Sequence, residues 1–315
     1  MEDWINQIKE GNRRALSKAI TVVESSRDDD RLTATQLLKG IQSIRHPGLR
    51  IGITGSPGVG KSSFINTFIS RMDPGSRVAI LTIDPSSEET GGSILGDKIR
   101  MTRLTDRDNI FIRPSPSKGV LGGIGSHTWK SVQLCEAARY DLIVIETVGV
   151  GQSEIEIQYL SDEVWWLTMP GAGDEIQGMK KGIMEIADRI IVTKTDLDPQ
   201  KAKLARIEIQ RALHTSLSPG REPAFYEVSA LRPESMEALL NDFQKIKPPL
   251  RQDRHERYWF EKQWQEILLE ESARATPLQK WKQEGWNQIR SGKSDQWDLL
   301  EQWKNKIREI WKKQP

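Results

Sequence analysis

From Leu49 to about Pro248, short apolar runs alternate with stretches whose apolar residues recur every three or four positions. The runs are Ile51-Gly52-Ile53, Val78-Ala79-Ile80-Leu81-Thr82-Ile83, Ile110-Phe111-Ile112, Leu142-Ile143-Val144-Ile145, Val164-Trp165-Trp166-Leu167 and Ile190-Ile191-Val192. Strands apolar on both faces, separated by helical patterns, predict an α/β fold: a mostly parallel sheet flanked by helices. Upstream, Leu16, Ile20 and Val23, then Leu37, Leu38 and Ile41, keep helical spacing on either side of the polar stretch from Ser25 to Asp30, predicting two helices. Beyond Lys247-Pro248-Pro249 the strand signal stops and long, charged segments follow. The chain therefore divides into an N-terminal helical segment (1–46), an α/β domain (47–248) and a helical, tryptophan-rich C-terminal extension (249–315).

Within that extension, Phe260, Trp264, Ile267 and Leu268 share one helical face, and Leu300, Trp303, Ile307 and Ile310 approach heptad spacing. Seven of the 11 tryptophans lie after residue 255. Such an aromatic stripe either packs on the protein's own core or anchors self-association or a partner.

At 315 residues, 37% hydrophobic and 29% charged, the chain can bury a full-sized core. Its net charge of +2 sets up no global field for nucleic acid. No run of 18 apolar residues and no basic-then-apolar N-terminus occurs, so neither a membrane span nor a secretory leader is expected. The single cysteine, Cys135, fits a reducing, cytoplasmic setting and reads as a small buried apolar side chain. Four histidines and one cysteine are too few for a soft-metal carrier.

Gly55-Ser56-Pro57-Gly58-Val59-Gly60-Lys61-Ser62 matches G-x-x-x-x-G-K-[ST]. It follows an apolar strand and opens an amphipathic helix containing Phe64, Ile65 and Phe68, the context a P-loop requires. Glycines let backbone N–H groups wrap phosphates, and the helix presents its positive end to them. Lys61 is expected to reach the β- and γ-phosphates, Ser62 to coordinate Mg2+, and Ser63 to extend the cradle. Asp84 and Glu146 each end a buried strand, where they can hold Mg2+ or its water, or serve as strand-end caps or ion-pair partners. Asp97, in the glycine-flanked loop Thr90 to Asp97, is a third carboxylate candidate. Glu146-Thr147-Val148-Gly149-Val150-Gly151-Gln152 reads as a switch loop, with Gly149 sensing the γ-phosphate. Gln152 either orients the attacking water or faces solvent.

The base is addressed by Thr193-Lys194-Thr195-Asp196, which resembles the guanine-reading N-K-x-D element. Asp196 would accept from guanine N1–H and the exocyclic amine, and adenine would leave it unpaired. Lys194 would cover the base plane, whereas Thr193 in place of asparagine removes one reader of the guanine edge. Ser229 and Ala230, after the strand Phe225-Tyr226, resemble the loop whose backbone amides hold guanine O6. GTP and GDP are the expected nucleotides.

Longer runs carry a family resemblance: Asp84-Pro85-Ser86-Ser87, Gly91 to Lys98, Arg113-Pro114-Ser115-Pro116, Glu146 to Glu154, and Pro170-Gly171-Ala172-Gly173-Asp174-Glu175. Over about residues 10 to 245 the chain resembles the methylmalonyl-CoA mutase-associated GTPase (MeaB/ArgK) family. The resemblance implies a homodimeric GTPase chaperone that binds an adenosylcobalamin-dependent acyl-CoA mutase, gates its cofactor loading and protects it. By the same resemblance Lys61, Ser62, Asp84, Asp97 and Glu146 occupy phosphate and magnesium positions, and Gly178, Lys180, Lys181 and Gly182 a switch-adjacent segment. Alternatives are a transport-linked ATPase or kinase for lysine, arginine and ornithine, a name also given to such proteins, and a GTP-dependent metallochaperone. No amino-acid site in the sequence supports the first.

Overall fold

A computed structural model describes the chain except residues 26, 85–103, 105–106, 117–123, 148–151, 172–180, 217–221, 247–252, 275, 292, 294–298, 300 and 306–315. Three helices come first: α1 (Glu2–Lys9), α2 (Arg13–Glu24) and α3 (Asp28–Ile41). Then follow β1 (Leu49–Thr54), α4 (Lys61–Ser70), β2 (Val78–Asp84), β3 (Ile110–Pro116), α5 (Ser126–Ala137) and β4 (Leu142–Glu146). A 3-10 helix (Gln152–Tyr159) leads to β5 (Glu163–Thr168), α6 (Lys181–Ile186), β6 (Arg189–Val192), α7 (Pro199–Ser216) and β7 (Ala224–Glu227). After a 3-10 turn at Pro233–Met236 come α8 (Glu237–Phe243), α9 (Asp253–Arg274) and α10 (Thr276–Arg290).

The seven strands form one sheet in the order β3-β2-β4-β1-β5-β6-β7, and every pairing is parallel. Parallel strands need a crossover each, so both faces are covered, and β1 and β4 are buried along their whole length. On one face Phe64, Phe68, Leu239 and Met236 pack against Ile51, Ile53, Val144 and Trp165. On the other, α1 to α3, α5, α6 and α7 bury Leu16, Ile20, Ile41, Val132, Ile183 and Ile209 against Ile143, Ile145 and Trp166.

The N-terminal segment holds three helices where two were expected. In α1, Trp4, Ile5 and Ile8 supply one short apolar face, and the Trp4 indole donates to the Ala15 carbonyl at 3.0 Å. Asn12 caps α2, accepting from the amides of Arg14 and Ala15 at 3.0 and 3.1 Å. Glu24, at the end of α2, is 5% exposed and bound by the Arg113 guanidinium and the Ser115 hydroxyl of β3. These helices pack on α5 and β3 and share the main core.

Compactness divides the chain at Trp259/Phe260, inside α9, whereas the sequence pattern suggested residue 248. The first turns of α9 complete the core of the first unit. His255 and Trp259 are 2% and 0% exposed, and Trp259 stacks on Trp129 and donates to the Tyr159 carbonyl at 2.7 Å. Tyr258 stacks on Tyr159 at 3.8 Å and donates to Glu156 at 3.1 Å. In the second unit Trp303 lies against Gly285, where a Cβ would come within 2.2 Å of its ring, and Leu299 is buried. Phe260, Trp264 and Ile267 are exposed on α9, at 69, 54 and 52%. Ile307 and Ile310 lie outside the described residues, as does Leu300.

Near the amino end of the sheet, Glu136 sits between the guanidinium groups of Arg45 and Arg50, all three side chains at most 7% exposed. The Asp162 carboxylate accepts from the Arg50 amide at 2.8 Å. Burial pushes Asp162 up to about 6 against the opposing charge of Arg50, and burial with the charges of Arg50 and Arg254 holds His255 down at about 4.

Candidate functional site

The carboxyl ends of β2, β4 and β1 lie side by side at the middle of the sheet, where open parallel sheets bind ligands. β1 ends at Thr54, and Gly55 turns the chain at φ +149°, its α-carbon so close to β5 that a Cβ would fall 2.2 Å from the Leu167 carbonyl oxygen. Only glycine fits there. Gly60, at φ +97° and ψ 29°, is the left-handed residue that starts α4. Lys61 is thereby the first residue of a ten-residue helix whose end faces the loop.

Within that loop the Lys61 ammonium donates to the carbonyls of Gly55 at 2.6 Å and Ser56 at 3.2 Å. The Ser62 hydroxyl donates to Glu146 Oε1 at 2.9 Å, which brings together two of the expected magnesium positions. In the sheet register Glu146 stands opposite Thr82 on β2 and Ile53 on β1. The Thr82 hydroxyl is buried without a hydrogen-bond partner among the described residues. The Glu146 carboxylate and the Ser62 hydroxyl in contact, with an orphaned threonine hydroxyl at the register position opposite Glu146, are all oxygen donors, the chemistry Mg2+ takes. These residues fit the ion.

The base loop is tied to this cradle. Thr193 is 4% exposed, and its hydroxyl lies 2.7 Å from the Val59 carbonyl oxygen and 3.0 Å from that of Thr168. Thr193 thus faces the phosphate loop. Lys194, at φ +54°, donates from its ammonium to the Gly58 carbonyl at 2.7 Å. The Thr195 amide donates to the Val228 carbonyl at 3.3 Å, joining this loop to the one after β7. Asp196 is partly buried and makes no hydrogen bond or ion pair among the described residues.

In the loop after β7, Ser229 is fully buried. Its amide donates to the Ser235 hydroxyl at 2.8 Å, and its own hydroxyl accepts from the Leu231 amide at 3.1 Å. Sequence reasoning passed over Ser235. The available signal was a serine two residues after Arg232-Pro233, the position from which a hydroxyl folds back onto a turn.

Of the other expected residues, Asp97, Gly149, Gly178 and Lys180 lie outside the described residues, as do the side chains of Asp84, Gln152 and Lys181. The backbone places Asp84 at the end of β2, beside β4, and starts the 3-10 helix at Gln152. Ser56, Gly58 and Val59 stand in the phosphate loop with Pro57, and Ser63 follows Ser62 on the exposed side of α4. No helix among the described residues is long and apolar enough to cross a membrane, and no three of their His, Cys, Asp and Glu side chains cluster to hold a metal ion.

Residues 16–277 match the family model for methylmalonyl Co-A mutase-associated GTPase MeaB. The chain is 44% identical to GTPase ArgK of Escherichia coli over 216 residues, covering 68% of this chain and 65% of that protein. It is 45% identical to the mitochondrial methylmalonic aciduria type A homolog of Caenorhabditis elegans over 226 residues, covering 68% and 57%. It spans 71% of the length of a putative GTPase of Caulobacter vibrioides and 48% of that of the mitochondrial methylmalonic aciduria type A homolog of Mus musculus. The crystal structure of a LAO/AO transport system kinase superposes with a TM-score of 0.67 at 27% identity, covering 98% of this chain and 97% of the other. With its all-parallel sheet and latched nucleotide loops, the chain belongs to the MeaB family of P-loop GTPases associated with methylmalonyl Co-A mutase.

Proposed function

We propose that this protein binds GTP with Mg2+, hydrolyses it, and uses the change to chaperone an adenosylcobalamin-dependent acyl-CoA mutase, gating cofactor loading and protecting the mutase. The observation that carries the nucleotide part is the convergence of three loops: the phosphate loop, the Thr193 to Asp196 loop and the loop after β7 are joined by hydrogen bonds from Thr193, Lys194 and Thr195. Asp196, partly buried and without a partner among the described residues, is the acceptor left for guanine N1–H and the exocyclic amine. Lys61 would exchange its two loop carbonyls for phosphate oxygens. Bound at Ser62 and Glu146, with Asp84 and Asp97 as further candidates, Mg2+ would neutralise the charge that builds between the terminal phosphates. Gln152 would orient water and Gly149 would sense the γ-phosphate. The chain's own contribution is positioning. The Glu146 carboxylate holds the Ser62 hydroxyl, and the Gly55 and Ser56 carbonyls keep the Lys61 ammonium within the loop.

The mutase partner rests on family membership. A cytoplasmic homodimer is the assembly proposed, with the exposed Phe260, Trp264 and Ile267 face of α9 as its apolar contribution. The deciding experiment is GTP turnover by the purified protein, alone and with each adenosylcobalamin-dependent mutase of its source. Turnover raised by one mutase, together with GTP-dependent release or capture of cobalamin, is the expected result. No GTP binding, or turnover indifferent to every mutase, overturns the proposal.

A further inference from the structure

The loop after β7 presents three consecutive amides, and the fold has already used two of them. The Ser229 amide donates to the Ser235 hydroxyl at 2.8 Å, and the Leu231 amide donates to the Ser229 hydroxyl at 3.1 Å. Among the described residues the Ala230 amide between them makes no hydrogen bond. Its direction is also fixed. The Ser229 carbonyl, on the same peptide plane, accepts from the Arg232 amide at 3.1 Å inside the turn. A trans peptide points its N–H away from its C=O, so the Ala230 amide is turned out of the turn. On the other side of the residue, the Ala230 carbonyl accepts from the Thr67 hydroxyl of α4 at 3.3 Å.

Ser235 completes the arrangement. Its hydroxyl accepts from Ser229 N–H and lies 2.6 Å from the Arg232 carbonyl, to which it donates, so a single oxygen closes the turn from both ends. Ser229 is 0% exposed, and without this acceptor its amide would be buried and unpaired. The loop could then satisfy that amide only by rotating, which would carry the neighbouring Ala230 amide off its line.

From this geometry we infer that Ser235 is a positioning residue for guanine specificity: it touches no nucleotide but locks the loop so that one amide, that of Ala230, is offered to the base. The inference rests on the guanine reading above. It assigns base selectivity to a residue on the 3-10 turn Pro233–Met236, outside the recognised loops.

The test compares GDP with 6-thioguanosine diphosphate, which keeps N1–H and the 2-amino group but offers sulfur, a weak acceptor, in place of O6. Affinities are measured by calorimetry on the full-length protein and on Ser235→Ala, Ser235→Thr and Ser229→Ala. The unmodified protein should prefer GDP by about tenfold, Ser235→Ala by about twofold, and Ser235→Thr, which keeps the hydroxyl, by about tenfold again. Ser229→Ala, which releases the Leu231 amide, should also narrow the preference, and it carries the test if Ser235→Ala does not fold. Equal weakening of both ligands in the alanine variants would make Ser235 merely structural and overturn the inference while leaving the guanine reading intact. An unmodified protein that binds ADP as well as GDP would overturn both.

Discussion

Thr193→Val tests whether the base loop holds the phosphate loop or reads the base. The change preserves shape and removes one hydroxyl, 2.7 Å from the Val59 carbonyl and 3.0 Å from that of Thr168. At 4% exposure no water replaces it readily, and a buried carbonyl deprived of its donor costs about 1 to 3 kcal/mol. If the hydroxyl is what keeps the phosphate loop in its binding conformation, that cost lowers the competent fraction. Affinity then falls by at most about 5- to 150-fold, at about 1.4 kcal/mol per factor of ten. The signature lies in a ratio. Titration calorimetry with GTP, and with ATP or inorganic triphosphate, in magnesium should show the same factor for every ligand, because all share the phosphate loop. Weaker GTP binding with unchanged ATP binding would refute the reasoning and make Thr193 a base reader.

Glu146→Gln leaves Ser62 a neutral partner and should slow single-turnover GTP hydrolysis on the order of 100-fold, with a smaller loss of GDP affinity. Gly55→Ala places a Cβ 2.2 Å from the Leu167 carbonyl at φ +149° and should cost at least about 2 kcal/mol in urea unfolding, with loss of nucleotide binding; a variant of unchanged stability refutes the close approach. His255, held down at about 4 against an ordinary 6.5, resists a proton the unfolded chain accepts, so its contribution is intact above about 6.5 and is lost as pH falls to about 4. His255→Gln removes that loss, so between pH 7 and 4 the variant should gain about 1 to 3 kcal/mol relative to the parent; parallel stability curves would refute it. Asp162, raised to about 6, slopes the opposite way in both proteins and cancels in the difference. A chain ending at residue 248 loses the buried Trp259 and should be about 3 to 5 kcal/mol less stable than one ending at Trp259; equal melting temperatures would remove α9 from the first unit's core.

Six strands were legible because parallel strands buried on both faces read as apolar runs; the edge strand β7, only partly buried, offered just Phe225-Tyr226, and all seven became strands of one sheet. The phosphate loop was legible for a related reason, since the positive φ at Gly55 and Gly60 is a backbone demand met by glycine at a fixed spacing. Interactions between distant segments leave no such trace. The Thr193 hydroxyl meets Val59 across 134 residues, and nothing near Thr193 in the sequence announces that contact. Ser235 folds back onto Ser229 and Arg232, and its one local hint, the preceding Arg232-Pro233, does not name the amide it meets. Helix α1 escaped notice because it is eight residues long and fully buries only Ile8. The boundary at 248 followed a real change in composition, yet Trp259 and His255 belong to the preceding core because of what they touch.

The tie between Glu24 and β3 has a consequence during synthesis. Glu24 meets Arg113 and Ser115, which lie 89 and 91 residues further along the chain. At about 5 to 20 residues per second, those partners reach the growing chain about 5 to 20 s after α2 has been made. For that interval Leu16, Ile20, Leu37 and Ile41, all fully buried in the finished protein, have neither the sheet nor α5 to cover them. The helices made first therefore wait for β3 and α5 before their core can close, and until then their apolar faces are the surface a ribosome-bound chaperone would meet.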